Sequence, residues 1–325
     1  MLLVQAGASG TRARPDLSPT ARPVCAQTFR IGFVADVAGL RSSVDAAGWR
    51  GVGEAVGESS CVYADLALPT RPSDYRRLLK AYAGYDLVIA GSFLLTDPVV
   101  DVARANPATH FLLVDPIVLP AGPSNLAVLT FRNDQGAFLA GALAGIVTQT
   151  GVVAGVYGPE GASDRDNRAG FEHGALYARP GVHVLGAYQP AEDGQPYLNP
   201  VWGAAQARVF ASHRADVIFG ASGTTGQGAL LGAVQSGVGC IATDIDAASD
   251  RVCLLATSVK FIDQGVRMTT ANAIAGRWQG GIRALGLAEY AVGLSPVTRR
   301  LQPAQVQQVQ TIADLLAAGK LDTGA

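Results

Sequence analysis

Short apolar runs alternate with segments of helical spacing along most of this chain, and the alternation runs through once and then starts again. Few folds satisfy that pattern, because strands separated by helices read as a parallel sheet with helices on both faces. The strands of the first run are Arg30–Ala35, ending at Asp36, then Cys61–Leu68, Asp86–Ala90, His110–Val114 and Asn125–Phe131. Between them, Val44–Val56 carries apolar residues at helical spacing, with Ser42 or Ser43 as N-cap. Ser73 opens a second helix, and Asp97, with Pro98 at the first helical position, opens a third that runs to Asn106. A long apolar helix, Gly136–Thr148, leads into the second run. Its strands are Gly151–Tyr157, Val182–Tyr188, Asp216–Phe219, Gly239–Ala242, Val252–Ala256 and Tyr290–Leu294. Its helices are Arg165–Arg179, Pro200–His213, Gly228–Gln235, Phe261–Trp278 and Pro303–Ala318. The expected fold class is therefore α/β, with two doubly wound parallel-sheet lobes. Each lobe has a row of strand C-termini, the edge at which open α/β sheets bind ligands. Two such rows facing each other make a cleft.

Composition narrows the partners. Of 325 residues, 25 are Lys or Arg and 26 are Asp or Glu, a net charge of -1, so no basic excess exists to neutralise a nucleic acid. No apolar run approaches the about 20 residues needed to span a bilayer. Residues 1–27 are rich in Arg, Pro, Ser and Thr and read as a mostly flexible tail, with an apolar start too short for a signal-peptide core. Cys25, Cys61, Cys240 and Cys253 lack metal-ligand spacing, and no CxxC occurs. Two readings of them stand: disulfides 25–61 and 240–253 in an oxidising compartment, or four small buried hydrophobes.

The stretch Gly237–Lys260 concentrates chemistry. One strand ends on Asp244 and Asp246, and the next ends on Thr257, Ser258 and Lys260. Turn-forming aspartate is the competing reading. Signatures of catalysis are missing. The glycines at 7–10 and 223–228 lack the context of a dinucleotide fingerprint. His110, His173, His183 and His213 are scattered without metal-binding spacing, and no GxSxG elbow occurs. Neither a metal nor a cofactor nor an enzymatic activity is expected.

Several segments, in order, carry a likeness. They are ADVAGL (35–40), Trp49 with Gly51, AGSFLLTD (90–97), NPATHFLLVD (106–115), GAFLAGALAG (136–145), AGFEHGA (169–175), ADVIFGASGTTGQG (215–228), TDID (243–246) and TSVKFID (257–263). Together they resemble the basic membrane lipoprotein family of bacterial ABC-transporter substrate-binding proteins, the nucleoside-binding branch of the type I periplasmic binding proteins. The resemblance implies two lobes joined by a three-strand hinge, with crossovers near Phe131–Asp134, Thr257–Phe261 and Arg283–Leu287. One lobe would hold residues 28–132 and 259–285, the other 133–258 and 286–325. It further implies an extracytoplasmic monomer that captures a nucleoside or nucleobase, purine favoured, and hands it to a membrane permease. A sugar or another small heterocycle is the alternative ligand.

Site residues follow from the same resemblance. The family's base-edge aspartate falls on Asp36, its ribose-binding aspartate on Asp244, and its hinge lysine on Lys260. Its glycine-rich segment falls on Gly223–Gly228, with Thr224 beside Gly223, while Ser92, Phe93 and Asp115 occupy the first-lobe rim. The first loop departs from the family. Where Asp-Lys-Ser-Phe-Asn is usual, this chain has Arg41, Ser42, Ser43, Val44 and Asp45. Val44 has no π face, so stacking passes to Phe93, Phe171 or Trp202. Asp45 is acceptor-only when charged, so a ligand there presents N–H or O–H groups. Capping competes as the role of Asp36, Ser43 and Asp45, and packing on a helix face competes for Trp202. Cys25 lacks the preceding residues of a lipoprotein cleavage site, so no lipid is expected there.

Overall fold

The computed structural model describes residues 27–57, 61–194, 196–243, 252–296 and 300–325. The chain runs β1 (Phe29–Val34), α1 (Ser43–Val56), β2 (Val62–Ala67), α2 (Tyr75–Ala81), β3 (Leu87–Ala90), α3 (Thr96–Ala105), β4 (His110–Val114) and β5 (Leu126–Phe131). It continues through α4 (Asn133–Val147), β6 (Val152–Pro159), α5 (Ala162–Ala178), β7 (His183–Gln189), α6 (Pro200–Ser212), β8 (Val217–Gly220), α7 (Gly223–Ser236), β9 (Gly239–Thr243) and β10 (Leu254–Lys260). Last come α8 (Ile262–Ile274), β11 (Gly281–Leu285), β12 (Val292–Pro296) and α9 (Pro303–Ala317).

These strands form two six-stranded sheets, ordered β11-β5-β4-β3-β1-β2 and β12-β10-β9-β8-β6-β7. The first is parallel throughout. The second is parallel except for β12, which runs antiparallel to β10. Each sheet reverses its winding beside its first strand, and open α/β sheets take ligands at the carboxyl side of such a switch. The repeat inferred from the alternation is therefore structural: two copies of one winding order built from different sequences.

The strands read as continuous apolar runs because both sheet faces are covered. Helix α4 is buried on nearly every side, and it meets α5 through glycines on both helices. A Cβ on Gly141 would fall on the Phe171 carbonyl oxygen, and one on Gly174 would fall on that of Phe138. Similarly, α1 approaches α8 at Gly51, where a Cβ would fall on the Asp263 carbonyl, so α8 covers the first sheet although β10 before it lies in the second.

The crossovers need correction in detail. The first lies at Arg132, between β5 and α4, inside the expected span. The second lies at Phe261, because β10 runs on through Thr257 and Ser258, and Val259 and Lys260 pair with Gly293 and Val292 in the second sheet. Those two residues therefore leave the lobe expected to start at 259. The third lies between Leu285 and Val292, because β11 keeps Gly281–Leu285 in the first sheet. That strand was not foreseen: it is short, mostly exposed and preceded by Gly280, so its pattern is weak. Helix α8 stops at Ile274 rather than Trp278, since Gly276 takes φ 69° and turns the chain. Trp278 then stacks on His110 with ring centroids 4.7 Å apart. The segment opened by Ser73 begins as a 3-10 turn, Pro72–Asp74, before α2.

Cys240 and Cys253 form a disulfide with a Cα separation of 5.1 Å. Cys61 is also disulfide-bonded, and Cys25 lies outside the described residues. The 240–253 bond closes a loop with a sequence separation of 13. Cross-linking a loop of about 15 residues contributes about 3 kcal/mol, mainly by restricting the unfolded chain. The Cys240→Ala/Cys253→Ala variant is thus expected to lose about 2–4 kcal/mol in urea unfolding, and a loss below about 0.5 kcal/mol would show that the bond adds nothing.

Candidate functional site

The C-terminal ends of the two sheets open on one cavity of about 580 Å³. From the first sheet it takes Phe93 after β3, Asp115 and Ile117 after β4, and Thr130 and Phe131 at the end of β5. From the second it takes Thr243 at the end of β9 and Ser258 and Lys260 on β10. The first turns of α4, α5 and α7 supply Asn133, Asp164 and Gly223. Three helix N-termini therefore end at this space, and their partial positive charge favours the carboxylates among them.

Asp164 organises the second-lobe wall. It is buried, and its Oδ1 accepts hydrogen bonds from the Gly158 N–H at 2.9 Å and from the Ser222 hydroxyl. The Tyr197 hydroxyl bonds to it as well. Burial pushes the Asp164 pKa up, and those hydrogen bonds together with the nearby Lys260 oppose the shift. Tyr197 itself has φ 67°, an unusual conformation for a bulky residue. Its surroundings fix it there. The N–H donates to Gln189 Oε1 at 3.1 Å, and the carbonyl accepts from Thr225 N at 3.2 Å and Thr224 Oγ1 at 3.0 Å. Its ring lies over Gly158, where a Cβ would collide with it. The result is an aromatic ring held in the cavity wall by both backbone and hydroxyl.

Two ion pairs mark the hinge. Lys260 Nζ lies 2.9 Å from Asp115 Oδ2 and so joins the second sheet to the loop after β4. Arg132 donates to both oxygens of Asp134 at 2.8 and 2.6 Å, and the Thr323 hydroxyl adds a third bond at 2.6 Å. Burial alone would raise the Asp134 pKa, but these bonds outweigh it and hold the group below the ordinary carboxylate range. Asn133 Nδ2 donates to Ser163 Oγ at 2.7 Å and ties α4 to α5. Among the described residues, no cluster of three His, Cys, Asp or Glu is placed to hold a metal. The cavity is equipped to bind: aromatic faces, acceptors for hydroxyl and N–H groups, and two cations already matched to acids.

A family model described as ABC transporter substrate-binding protein PnrA-like matches residues 43–318. The chain belongs to this family. Basic membrane protein B of Borrelia garinii subsp. bavariensis is 28% identical over 220 residues, which are 65% of this chain and 63% of that protein. The CD4+ T-cell-stimulating antigen of Listeria monocytogenes serovar 1/2a is 27% identical over 247 residues, 69% of this chain and 66% of that protein. The chain thus spans a little under two thirds of the length of these curated relatives. Among solved structures, an ABC transporter solute-binding protein from Conexibacter woesei superposes with a TM-score of 0.70 at 19% identity, covering 91% of this chain and 98% of that one. At that identity the likeness establishes the two-lobed α/β fold. The PnrA-like family is one of substrate-binding proteins, not of enzymes.

Within this PnrA-like frame the expected site residues separate into groups. Phe93, Asp115, Gly223 and Lys260 line the cavity. Ser92 is buried behind Phe93 and caps its short 3-10 turn by accepting from Leu94 N. Thr224 turns its hydroxyl to the Tyr197 carbonyl instead of the cavity. Asp244 lies outside the described residues.

The first loop and two of the three proposed stacking residues require correction. Asp36, Ser43, Val44 and Asp45 are not in the cavity wall. Asp36 Oδ1 accepts from Ala38 N at 2.6 Å, and Asp45 Oδ2 accepts from Asp36 N at 3.0 Å, so the loop folds its carboxylates onto its own backbone. Ser42, not Ser43, caps α1, and Val44 packs on the core. Phe171 is 0% exposed and stacks on Phe219 at 4.9 Å in the interior, out of reach of any ligand. Trp202 packs against the apolar cluster behind the second sheet.

Tyr197, Asp164, Asn167, Ser222, Arg132 and Asn133 reach the cavity without having been singled out. For Tyr197 a signal existed. Asn199 and Pro200 form an N-cap and first-turn pair, so an aromatic two residues earlier sits in a strand-to-helix loop at the binding edge. Trp202, two residues into the helix, does not.

Proposed function

We propose that this chain is the extracytoplasmic substrate-binding component of an ABC importer. As a monomer it captures a nucleoside or nucleobase, purine favoured, in the cavity between the sheets and delivers it to a membrane permease. The observation that carries this reading is an aromatic ring on each lobe, Phe93 on the first and Tyr197 on the second, within one cavity that also holds Asp115, Asp164 and Lys260. Closure of the lobes brings two flat faces toward a planar base, and stacking on an aromatic contributes about 1–3 kcal/mol per base. Carboxylates accept from ribose hydroxyls and from base N–H groups. The cavity volume falls within the range of about 300–1,000 Å³ usual for small-ligand sites. The 240–253 disulfide suits an oxidising compartment. Among the described residues, no helix is long and apolar enough to cross a membrane, and transport itself is assigned to the permease.

A sugar is the second reading. It is favoured by Val44, which has no ring to offer a base and packs partly buried on the core, and the same carboxylates suit a polyol. Thermal unfolding with a panel of nucleosides, free bases and hexoses separates the two. A ligand at 100 times its Kd adds about 2.7 kcal/mol, a rise on the order of 5–10 °C. Purine nucleosides are expected to give that rise and hexoses none; the reverse pattern assigns the site to sugars. Tyr197→Ala is expected to weaken the nucleoside by about 10–100-fold through loss of stacking, measured by calorimetry. Unchanged affinity would remove Tyr197 from the site.

A further inference from the structure

Most polar groups around the cavity already have protein partners, and one conspicuously does not. Asn167 lies on the cavity-lining face of α5 and is 9% exposed. Its carboxamide makes no hydrogen bond with any described residue. Its neighbours differ. Asp164 is bonded to Gly158, Ser222 and Tyr197, Ser163 to Asn133, and Asp134 to Arg132 and Thr323. The polar atoms of Asn167 are not sealed from solvent, so the partner open to this amide is whatever fills the cavity. The local fold gives it none. Asparagine is a poor residue for a helix interior, and here it neither caps a terminus nor ties α5 to another element.

The reason lies in what it faces. Asp164 and Asn167 are three residues apart on one helix, so their side chains share a face with Cβ atoms about 5–6 Å apart. Asp164 holds the Tyr197 hydroxyl, and Asn167, one turn further along α5, lines the same cavity as the pinned ring. A planar ligand stacked on Tyr197 therefore directs its rim toward Asn167. A carboxamide offers one acceptor and an adjacent pair of donors in one plane. Its complement is an N–H beside an acceptor, as in the lactam edge of an oxopurine or a uracil ring.

We infer that Asn167 is the specificity-determining residue of this site, reading the adjacent donor and acceptor on the edge of a planar heterocycle. This rests on the nucleoside reading above. It goes further in naming the edge recognised and the residue that recognises it. Until a ligand arrives the amide has no protein partner among the described residues, so ligands that strip its solvent without offering the complementary edge bind poorly. Sites built to hydrogen-bond a ligand group discriminate strongly against analogues without it for this reason.

Calorimetric titration of two matched pairs tests the inference: inosine against purine riboside, which lacks the lactam, and uridine against 3-methyluridine, whose N–H is blocked. Wild type is expected to bind the lactam member of at least one pair 10-fold or more tightly than its analogue. Asn167→Leu, of similar size and without polar atoms, is expected to fold normally, because the amide ties α5 to no other described element. In that variant the ratio should collapse to within about 3-fold, as apolar contacts distinguish the pair weakly. Asn167→Asp keeps one acceptor and drops the donors, and it should lose the ratio too; it decides the matter if the leucine variant misfolds. A ratio that survives in both variants, or no discrimination by wild type that binds nucleosides, overturns the role of Asn167 and leaves the nucleoside reading intact. Failure of wild type to bind any nucleoside while a hexose binds overturns both.

Discussion

Gly174→Ala is expected to disrupt the second lobe, with a loss of about 3 kcal/mol or more in urea unfolding. Helices α4 and α5 meet through Gly141 and Gly145 on one side and Gly170 and Gly174 on the other. A methyl group at 174 would fall on the Phe138 carbonyl oxygen and press on its backbone, which cannot swing away as a side chain can. The helices must part, and every contact along their shared face is weakened. Overpacking of a tight core commonly costs about 1–3 kcal/mol, and backbone against backbone belongs at the upper end of that scale. Gly53→Ala is the matched control. Gly53 is an exposed residue of α1 with open space around its Cβ position. There the same substitution should raise stability by about 0.5–1 kcal/mol, the helix propensity difference between the two residues. Opposite signs for one chemical change would tie the effect to helix approach. A loss below about 0.5 kcal/mol at Gly174 would mean that the helices are farther apart than they stand here.

Those glycines were visible in GAFLAGALAG and AGFEHGA, yet their partnership was not. Spacing of four places them on one face of each helix, but nothing local says which face meets which helix. The sheet strands were legible because each is a short, nearly continuous apolar run between turn residues, such as Leu87–Ala90 and Val217–Gly220. Hinge strands were less so. The strand Val252–Ala256 was legible, but polar Thr257, Ser258 and Lys260 placed the crossover at Thr257–Phe261, whereas β10 runs on through them, with Ser258 and Lys260 bordering the cavity. β11 lies at a sheet edge with Ile282 exposed, where neither periodicity nor burial leaves a mark.

The site was less legible than the fold for a related reason. A resemblance between sequences aligns positions, and it cannot say which way a side chain turns. Asp36 follows the first strand and Asp45 lies in the first turn of α1, where binding residues are expected, but one oxygen of each accepts from a backbone N–H of the same loop. Phe171 has the ring a base requires, and it faces into the core because its position on α5 points toward Phe219. Conversely, starting α5 at Arg165 leaves Ser163 and Asp164 as loop residues. The helix begins at Ala162, and its first two turns bring Ser163, Asp164 and Asn167 onto the cavity. Three residues of boundary shift conceal much of one wall.

Asp45→Asn is expected to stabilise the protein at pH 8 by about 2–4 kcal/mol and to flatten its stability between about pH 4 and pH 7. Asp45 is 0% exposed, and its Oδ1 has no partner. Burial, followed by the adjacent Asp36 carboxylate, raises its pKa from 3.8 to about 7, while the Asp36 N–H and Ser42 pull the other way. The sign follows from proton counts. Between about 4 and 7 the folded chain keeps a proton that the unfolded chain has released, so the contribution is complete below about pH 4. It is lost as pH rises through about 7 and is flat beyond. Each pKa unit is about 1.4 kcal/mol, which bounds the loss near 4 kcal/mol. Asparagine removes the charge, keeps an acceptor for the Asp36 N–H, and turns its donors toward the oxygen of Asp36. Asp134 acts in the opposite sense: its hydrogen bonds hold its pKa low, and their contribution is lost as pH falls through that depressed value. Both proteins share that limb, so the difference between them isolates Asp45. Urea unfolding from pH 4.5 to 8.5 should show two curves that meet at the acidic end and separate toward pH 8. Curves that stay parallel across the range would mean that Asp45 carries its charge in the folded protein at little cost.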